Sequence, residues 1–502
     1  MNPMNADGPT NDGSLRRAAA PASVEERAVT SFGWAAASFG INRFLLFVVT
    51  LVLARVLAPS DFGLVAAGMT LITYFEIGLD LGVGSALIYE QEKGITARVQ
   101  TAFTLNMLVS AVFTVVGIVA APAVARLFHV PDEAAIFRML FIYLLIRGAG
   151  QIPDAILKRD LSFKKRMLVD VLRAVVRAAV SICLALFDYG AWAIVWGILA
   201  GETAATAMSW SLVRFVPRFS IDRWAGATLL RFGLAFVALK ALSEVGMNSD
   251  YLVVGNRLGP TQLGFYTMSY RLPELLIDNA YWIFSSVAFP VYAQARALGG
   301  DAFRVAMLRA LRLMTLFGFV FGIGLALTAR DAIHVLFSSK WDPAAGPMTL
   351  IALATGLAAV GYASGDIFPA IGKPGTLLKI NAPLALALLV AFVLAAPYGI
   401  VAVAAVHLGF QLCYGALRLL VANRLVGSTL KESLAALRPA VIVSSGILIC
   451  GLPVRLMTDV GFGSLVAITL AGAAGGMAGL MIGARSEVGE LRTMAARMMG
   501  RA

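Results

Sequence analysis

The sequence predicts an all-α, polytopic membrane protein of about 14 transmembrane helices, arranged as two parallel six-helix lobes plus two accessory helices. Three observations carry the prediction. The chain is 59% hydrophobic and only 14% charged, with a mean hydropathy of +0.82, where soluble domains carry about 25% charged residues. Apolar runs of roughly 20 residues follow one another along nearly the whole length, each long enough to span a bilayer. A short motif then recurs at corresponding places. Leu57-Ala58-Pro59-Ser60-Asp61-Phe62-Gly63 returns as Leu258-Gly259-Pro260-Thr261-Gln262-Leu263-Gly264, with Leu, Pro and Gly at the same spacing. Each copy breaks a pair of apolar runs.

Residues 1–28 are polar and rich in Ala, Asn, Gly and Pro, and read as a disordered cytoplasmic tail with a short interfacial helix near Val24–Val29. Arg16-Arg17 is not an export signal, because the apolar run begins too far downstream and no small-residue cleavage site follows. Membrane helices are expected near 31–56, 63–89, 99–121, 134–157, 167–187, 191–213, 229–256, 263–293, 305–328, 345–370, 377–396, 400–422, 437–453 and 462–484. An even number of spans places both termini on one side. Six helices precede the second motif copy, so both copies have the same orientation and the lobes are parallel, related by an axis along the membrane normal. The expected domains are an N-terminal lobe over 29–213, a basic linker over 214–228, a C-terminal lobe over 229–422, accessory helices over 423–484 and a cytoplasmic tail over 485–502. The accessory helices are nearly uncharged, with Gly472, Gly476 and Gly479 at close-packing spacing.

Charge placement sets the sidedness. The net charge is +12. One set of loops, including Lys158, Arg159, Lys164, Lys165, Arg166, Arg214, Arg218, Arg223 and Arg296, collects roughly 27 basic residues. The opposite set holds about five: Arg126, Arg257, Arg330, Lys340 and Arg455. Both termini are therefore expected in the cytoplasm, and the basic surplus is a topology signal and not a nucleic-acid footprint. The outward loops are short, which argues against an enzyme built on a long external loop.

Charges also sit inside the apolar runs, where each costs about 2.5–3.5 kcal/mol on insertion scales and must face a cavity or a partner. Asn42 and Arg43 lie on helix 1. Thr73, Glu76, Asp80 and Gly84 share one face of helix 2; Arg271, Glu274, Asp278 and Trp282 share one face of helix 8. Arg147 and Asp154 share a side of helix 4. Asp170, Arg173 and Arg177 form a further set, as do His407, Gln411, Tyr414 and Arg418. Two readings stand side by side. These groups neutralise one another, as Lys240 with Glu244 or Arg271 with Glu274 and Asp278 would, and Arg147, Arg177 and Arg418 snorkel to an interface. Alternatively, Arg43 and Arg271, in the equivalent hairpins of the two lobes, bind an anion with several oxygens, since guanidinium offers forked donors and stays charged. Arg43, Arg271, Asn42 and Arg147 are the substrate-binding candidates. Glu76, Asp80, Glu274 and Asp278 are candidates for ion coupling or pairing. Cys183, Cys413 and Cys450 read as packing residues, and His129, His334 and His407 make no metal set. Gly82-Val83-Gly84 and Gly322-Ile323-Gly324 are not nucleotide loops, and no Walker motif occurs, so neither ATP nor any other cofactor is expected.

The chain resembles the polysaccharide flippase family (Wzx-type polysaccharide biosynthesis and lipopolysaccharide exporter proteins) of the MOP superfamily. The resemblance rests on Leu53-Ala54-Arg55-Val56-Leu57-Ala58-Pro59-Ser60-Asp61-Phe62-Gly63, Asp80-Leu81-Gly82 and Ala86-Leu87-Ile88. In the second lobe it rests on Gly264-Phe265-Tyr266, Tyr270-Arg271-Leu272-Pro273, Asn279 and Phe289-Pro290-Val291-Tyr292. It covers most of residues 30–425 and is nearest to the branch with colanic-acid-type exporters. It implies a non-enzymatic flippase of the cytoplasmic membrane, moving a polyprenyl-pyrophosphate-linked oligosaccharide outward by alternating access, alongside membrane lipids and polysaccharide polymerase or export machinery. Related lipid II flippases use cavity arginines on helices 1 and 8; by helix position that implies Arg43 and Arg271. The competing readings are a multidrug or small-molecule cation antiporter of the same superfamily, a membrane enzyme acting on the same lipid, and an envelope scaffold.

Overall fold

The structure, a computed structural model, describes residues 40, 42–79, 95–160, 162–213, 215–220, 223–299 and 301–483. The expected tails over 1–28 and 485–502, Asp80, and the side chains of Lys240 and Glu244 lie outside the described residues. Among the described residues the chain is helical and without strands. We number fourteen principal helices: α1 over 42–56, α2 Pro59–Leu79, α3 Ile95–Leu127, α4 Ala134–Arg159, α5 Phe163–Leu186, α6 Ala191–Leu212, α7 over 223–258, α8 over 260–298, α9 Ala302–Phe337, α10 Ala345–Gly365, α11 Pro374–Ala395, α12 Ile400–Val426, α13 Leu430–Met457 and α14 Phe462–Gly483. Ten described helical stretches are long and apolar enough to cross a membrane. The remaining helices, α1, α5, α7 and α8, carry Arg43, Arg173, Arg177, Asp250, Arg271 and Glu274.

The repeated motif explains two helix breaks. Pro59 opens α2, where its missing N–H is no loss. Asp61 accepts from the Ala58 N–H at 2.9 Å and caps the turn. In the second copy Gly259 takes φ +80°, a left-handed conformation that glycine adopts without strain, and separates α7 from α8. From Arg223 the chain is already helical, so the expected linker over 214–228 is non-helical only in its first part. Residues 215–220 pack on α3: Gln100 Nε2 donates to the Val216 carbonyl at 2.8 Å, and the Phe103 ring meets those of Phe215 and Phe219.

The two motif copies meet. A Cβ at Gly63 would strike the Pro260 carbonyl, and a Cβ at Gly264 would strike the Pro59 carbonyl. α2 and α8 thus cross backbone to backbone through equivalent glycines, and packing so close needs residues with no side chain. Around this crossing lies one continuous apolar core drawn from α1 to α12. Trp341, fully buried in the 3-10 turn Ser339–Ala344, sits edge-on to Phe62 at 5.2 Å and to Phe265 at 6.0 Å.

α13 and α14 form a tight hairpin against α9. Gly446 and Gly475 bring their backbones together, and Gly479 lies against the Val443 backbone. Polar bonds fasten the hairpin at both ends. Arg304 pairs with Glu432 at 2.8 Å, and the Gly461 N–H donates to Asp331 at 3.1 Å. Thr429 and Glu432 make a capping box at the start of α13.

Candidate functional site

Arg43 on α1 and Arg271 on α8 converge on one carboxylate. Arg43 Nη1 lies 2.7 Å from Glu274 Oε1, and Arg271 Nη1 lies 3.9 Å from Glu274 Oε2. At a rise of 1.5 Å per residue, Arg43 is about 20 Å along α1 from the break at Ala58, and Arg271 about 18 Å along α8 from Gly259. Both are inside a hydrocarbon layer about 30 Å thick. The side chains of Arg43, Arg271 and Glu274 are nevertheless 39%, 39% and 37% exposed. Charged groups this deep face an opening between helices, because lipid would not solvate them. Asn42 is half-buried beside Arg43. Asp278 lies one turn beyond Glu274 and, among the described residues, has no ion pair within 4 Å. Between these two carboxylates the backbone makes a π turn over Glu274–Asp278, just after Pro273, a local irregularity of the kind that gathers at functional sites.

A second charged group lies within α2, α4, α5 and α6. Arg147 pairs with Glu202 at 3.1 Å and with Glu76 at 3.7 Å. Arg173 pairs with Glu202 at 2.9 Å and with Asp170 at 2.9 Å. The Tyr143 hydroxyl donates to Glu76 at 3.2 Å. The candidates Arg147 and Glu76 therefore sit together. Arg147 does not snorkel; Glu202, at 3% exposure, holds it in the interior. Arg177 lies about 14 Å along α5 from its Leu186 end, at mid-membrane and not at an interface. Among the described residues it has no carboxylate within salt-bridge distance. Asp154, expected to share a side with Arg147, instead pairs with Lys158 at 2.8 Å and Arg166 at 3.1 Å. Arg418 stacks on the Tyr414 ring at 4.9 Å.

Sequence reading missed Glu202 and Asp250. Glu202 had a legible signal, since it is the single charge in the apolar run over 191–212. Asp250, 1% exposed, was obscured by its place near the end of α7.

The described hydrogen bonds that tie α1–α6 to α7–α12 lie at the level of Arg43 or nearer the Ala58–Gly259 end. Trp341 Nε1 donates to the Ala54 carbonyl at 2.8 Å, and Lys340 Nζ donates to the carbonyls of Leu57 at 2.8 Å and Arg55 at 3.0 Å. Arg55 Nη2 returns the contact to the Val335 carbonyl at 3.1 Å. Asn256 Nδ2 donates to the Leu127 carbonyl at 2.7 Å. Each set places a donor on the last carbonyls of a helix, which the helix itself leaves unsatisfied. The molecule is closed at this end.

Comparison with known proteins identifies the family and the fold. Residues 52–346 match the family described as "Polysaccharide biosynthesis protein". The chain is 24% identical to the succinoglycan biosynthesis transport protein ExoT of Rhizobium meliloti (strain 1021), over 66% of this chain and 67% of that one. It is 22% identical to the lipopolysaccharide biosynthesis protein WzxC of Escherichia coli (strain K12), over 72% of this chain and 73% of that one. Among solved structures, the lipid II flippase MurJ in an inward closed conformation superposes with a TM-score of 0.74 at 15% identity, covering 89% of this chain and 98% of that one. An inward-facing multidrug resistance MATE transporter of the MOP superfamily gives 0.63 at 16%, covering 77% and 98%. At these identities the two structures establish the fold alone. The family match, which spans more than half of the chain, establishes that it belongs to the polysaccharide biosynthesis protein family.

Proposed function

We propose that the chain is a flippase of the cytoplasmic membrane that carries a polyprenyl-pyrophosphate-linked oligosaccharide from the inner to the outer leaflet. The observation that carries this reading is the convergence of Arg43 and Arg271, from helices of opposite halves, on the single carboxylate Glu274. Forked guanidinium donors suit a pyrophosphate, whose several oxygens accept two bonds from each arginine. Asn42 adds a neutral donor beside them, and Arg147 holds a second cation deeper in the first half. A site for organic cations would place carboxylates, not arginines, from both halves at its centre. That disfavours the multidrug antiporter.

The two lobes, 29–213 and 229–422, move against each other about the Gly63–Gly264 crossing, and the accessory pair rides on α9. With both termini in the cytoplasm, the closed end is the outer one and the molecule is inward-facing. The sugar and pyrophosphate enter from the cytoplasm while the polyprenyl tail stays among membrane lipids. Glu274 occupies the place of the substrate anion until it arrives. The carrier does no chemistry on its cargo and works beside the polymerase or export machinery that uses the flipped unit.

The test is the leaflet distribution of lipid-linked oligosaccharide in cells lacking the protein. These are complemented with wild type, Arg43→Ala or Arg271→Ala at matched membrane levels. Inner-leaflet accumulation without the protein, relieved by wild type and by neither variant, is expected. Relief by both variants would move the site elsewhere; an unchanged distribution in every strain would refute the flippase.

A further inference from the structure

The face of α8 that carries Glu274 continues past the arginine site. Glu274, Asp278, Trp282, Ser285 and Phe289 follow one another at spacings of four, four, three and four residues, so they make one stripe along the helix. The π turn over Glu274–Asp278 takes more residues per turn than an α-helix, and the eight residues from Glu274 to Trp282 therefore close about two whole turns. Trp282 lies about 12 Å along the axis from Glu274, on the side away from the closed end. Its large ring is left 69% exposed, and Phe289, about two turns further on, is exposed as well. Asp278, half-buried between Glu274 and Trp282, has no ion pair within 4 Å among the described residues.

The other sides of this part of α8 are accounted for. One side is clamped to α10. The Tyr281 hydroxyl lies 3.0 and 3.1 Å from the carbonyls of Thr355 and Gly356, the Ser285 hydroxyl donates to Asp366 at 2.6 Å, and the Tyr292 hydroxyl donates to the Ala363 carbonyl at 3.0 Å. Phe284 packs on Phe317 of α9 at 5.7 Å. A further edge, made by Leu276, Ile283 and Val291, is exposed and aliphatic, and suits lipid tails. Lipid tails do not suit the stripe that holds Asp278, because a carboxylate in hydrocarbon is costly. That stripe starts at Glu274, whose carboxylate reaches Arg43 of α1, so it faces the opening between the halves. The clamp to α10 sets Trp282 on a fixed backbone, an aromatic platform with a carboxylate one turn away.

We propose that Trp282 and Asp278 form a sugar-binding subsite, in which the indole face stacks on a ring of the lipid-linked glycan and Asp278 accepts from its hydroxyls. The subsite rests on the flippase reading, which supplies the substrate. A pyranose has two unlike surfaces. Its C–H groups carry partial positive charge and match the negative face of an indole, while the hydroxyls at its rim donate to a carboxylate. Trp282 and Asp278 meet one surface each. Their position fits as well. With the pyrophosphate on Arg43 and Arg271, the glycan runs on into the opening, and Trp282, about 12 Å from Glu274, meets it a few rings from the phosphates. The arginines then read the group that every such lipid shares, and this stripe of α8 reads the sugar.

The experiment compares two ligands on the full-length protein in lipid nanodiscs: the lipid-linked oligosaccharide extracted from cells lacking the protein, and bare polyprenyl pyrophosphate. Trp282→Ala is expected to weaken binding of the first by about tenfold, the worth of one stacked aromatic contact, and to leave the second unchanged. Unchanged binding of the bare lipid also shows that the variant is folded. Trp282→Tyr, which keeps a stacking face, should recover most of the loss, and Asp278→Ala should show the same selective loss. Ile283→Ala, on the aliphatic edge, should alter neither ligand, and Arg43→Ala should weaken both. An equal effect of Trp282→Ala on the two ligands, or none on either, would overturn the subsite and leave the flippase reading standing. The emission of Trp282, taken as wild type minus Trp282→Phe, gives a second readout and should respond to the oligosaccharide lipid and not to the bare one. Quenching of that emission by brominated lipids, with no response to the glycan, would make Trp282 a bilayer anchor and overturn the subsite. If wild type binds neither ligand, the flippase reading fails and the subsite with it.

Discussion

Replacing Glu274 by Gln separates a binding site from a structural ion pair. Glu274 lies 2.7 Å from Arg43 and 3.9 Å from Arg271, yet all three side chains are more than one third exposed. Solvent screening holds such a pair to about 0.2–1 kcal/mol. Loss of the carboxylate should therefore cost the fold at most about 1 kcal/mol, a fall in Tm of about 2 °C or less in a chain of this size. Its effect on the substrate runs the other way. If Glu274 stands where the pyrophosphate binds, the anion must displace it, and the displaced attraction opposes binding by the same amount. Removing about 1 kcal/mol of competition strengthens binding about fivefold. Arg43→Ala should weaken it by about 1.5–3 kcal/mol, the usual worth of a hydrogen bond to a charged group. The assay is direct titration of a short polyprenyl pyrophosphate into protein held in lipid nanodiscs, with thermal unfolding of the same samples. Tighter binding by Glu274→Gln with an unchanged Tm is expected. Weaker binding with a marked loss of Tm would show that Glu274 holds the two helices together, and the arginine site would fall as a substrate site.

Other perturbations have equally definite outcomes. Glu202→Ala leaves Arg147 and Arg173 without a buried carboxylate they share and should cost about 3–5 kcal/mol, read as loss of folded protein after detergent extraction; unchanged yield would refute the pairing. Gly63→Val puts side-chain atoms into the Pro260 carbonyl and should open the closure at the Ala58–Gly259 end at a cost of about 1–3 kcal/mol. A cysteine placed at Ala54 should then become reactive to a membrane-impermeant thiol reagent, and continued protection would count against the crossing as the pivot. Trp341→Phe keeps the ring contacts with Phe62 and Phe265 but leaves the Ala54 carbonyl without its donor, so this closure should loosen by about 1–3 kcal/mol, seen in the same labelling assay. Thr429→Ala removes the capping box of α13 and should lower stability by about 0.5–2 kcal/mol in a denaturant titration, with no effect on flipping.

The amino-acid sequence alone determined the fold class, because a bilayer imposes on each span a length and an apolar composition that can be read without knowing any contact. Helix starts and breaks were legible wherever Pro and Gly dictate them, as at Pro59 and Gly259. The repeat was legible too, as a spacing of Leu, Pro and Gly; that its glycines touch each other was not. Arg43, Arg271, Arg147, Glu76 and Glu274 stood out as costly charges in apolar runs, since that cost is local to each helix. Which charges pair is a matter of distance between helices far apart in sequence. Tertiary structure alone decided that Glu274 takes Arg43 from another helix while Asp278 pairs with neither arginine. It also decided that Glu202 holds Arg147 and Arg173. Asp250 illustrates the limit most clearly: its hydrogen bonds from two tyrosines of the next helix exist only once packing brings α7 and α8 together, and no lysine or arginine of the described residues lies within salt-bridge distance of it.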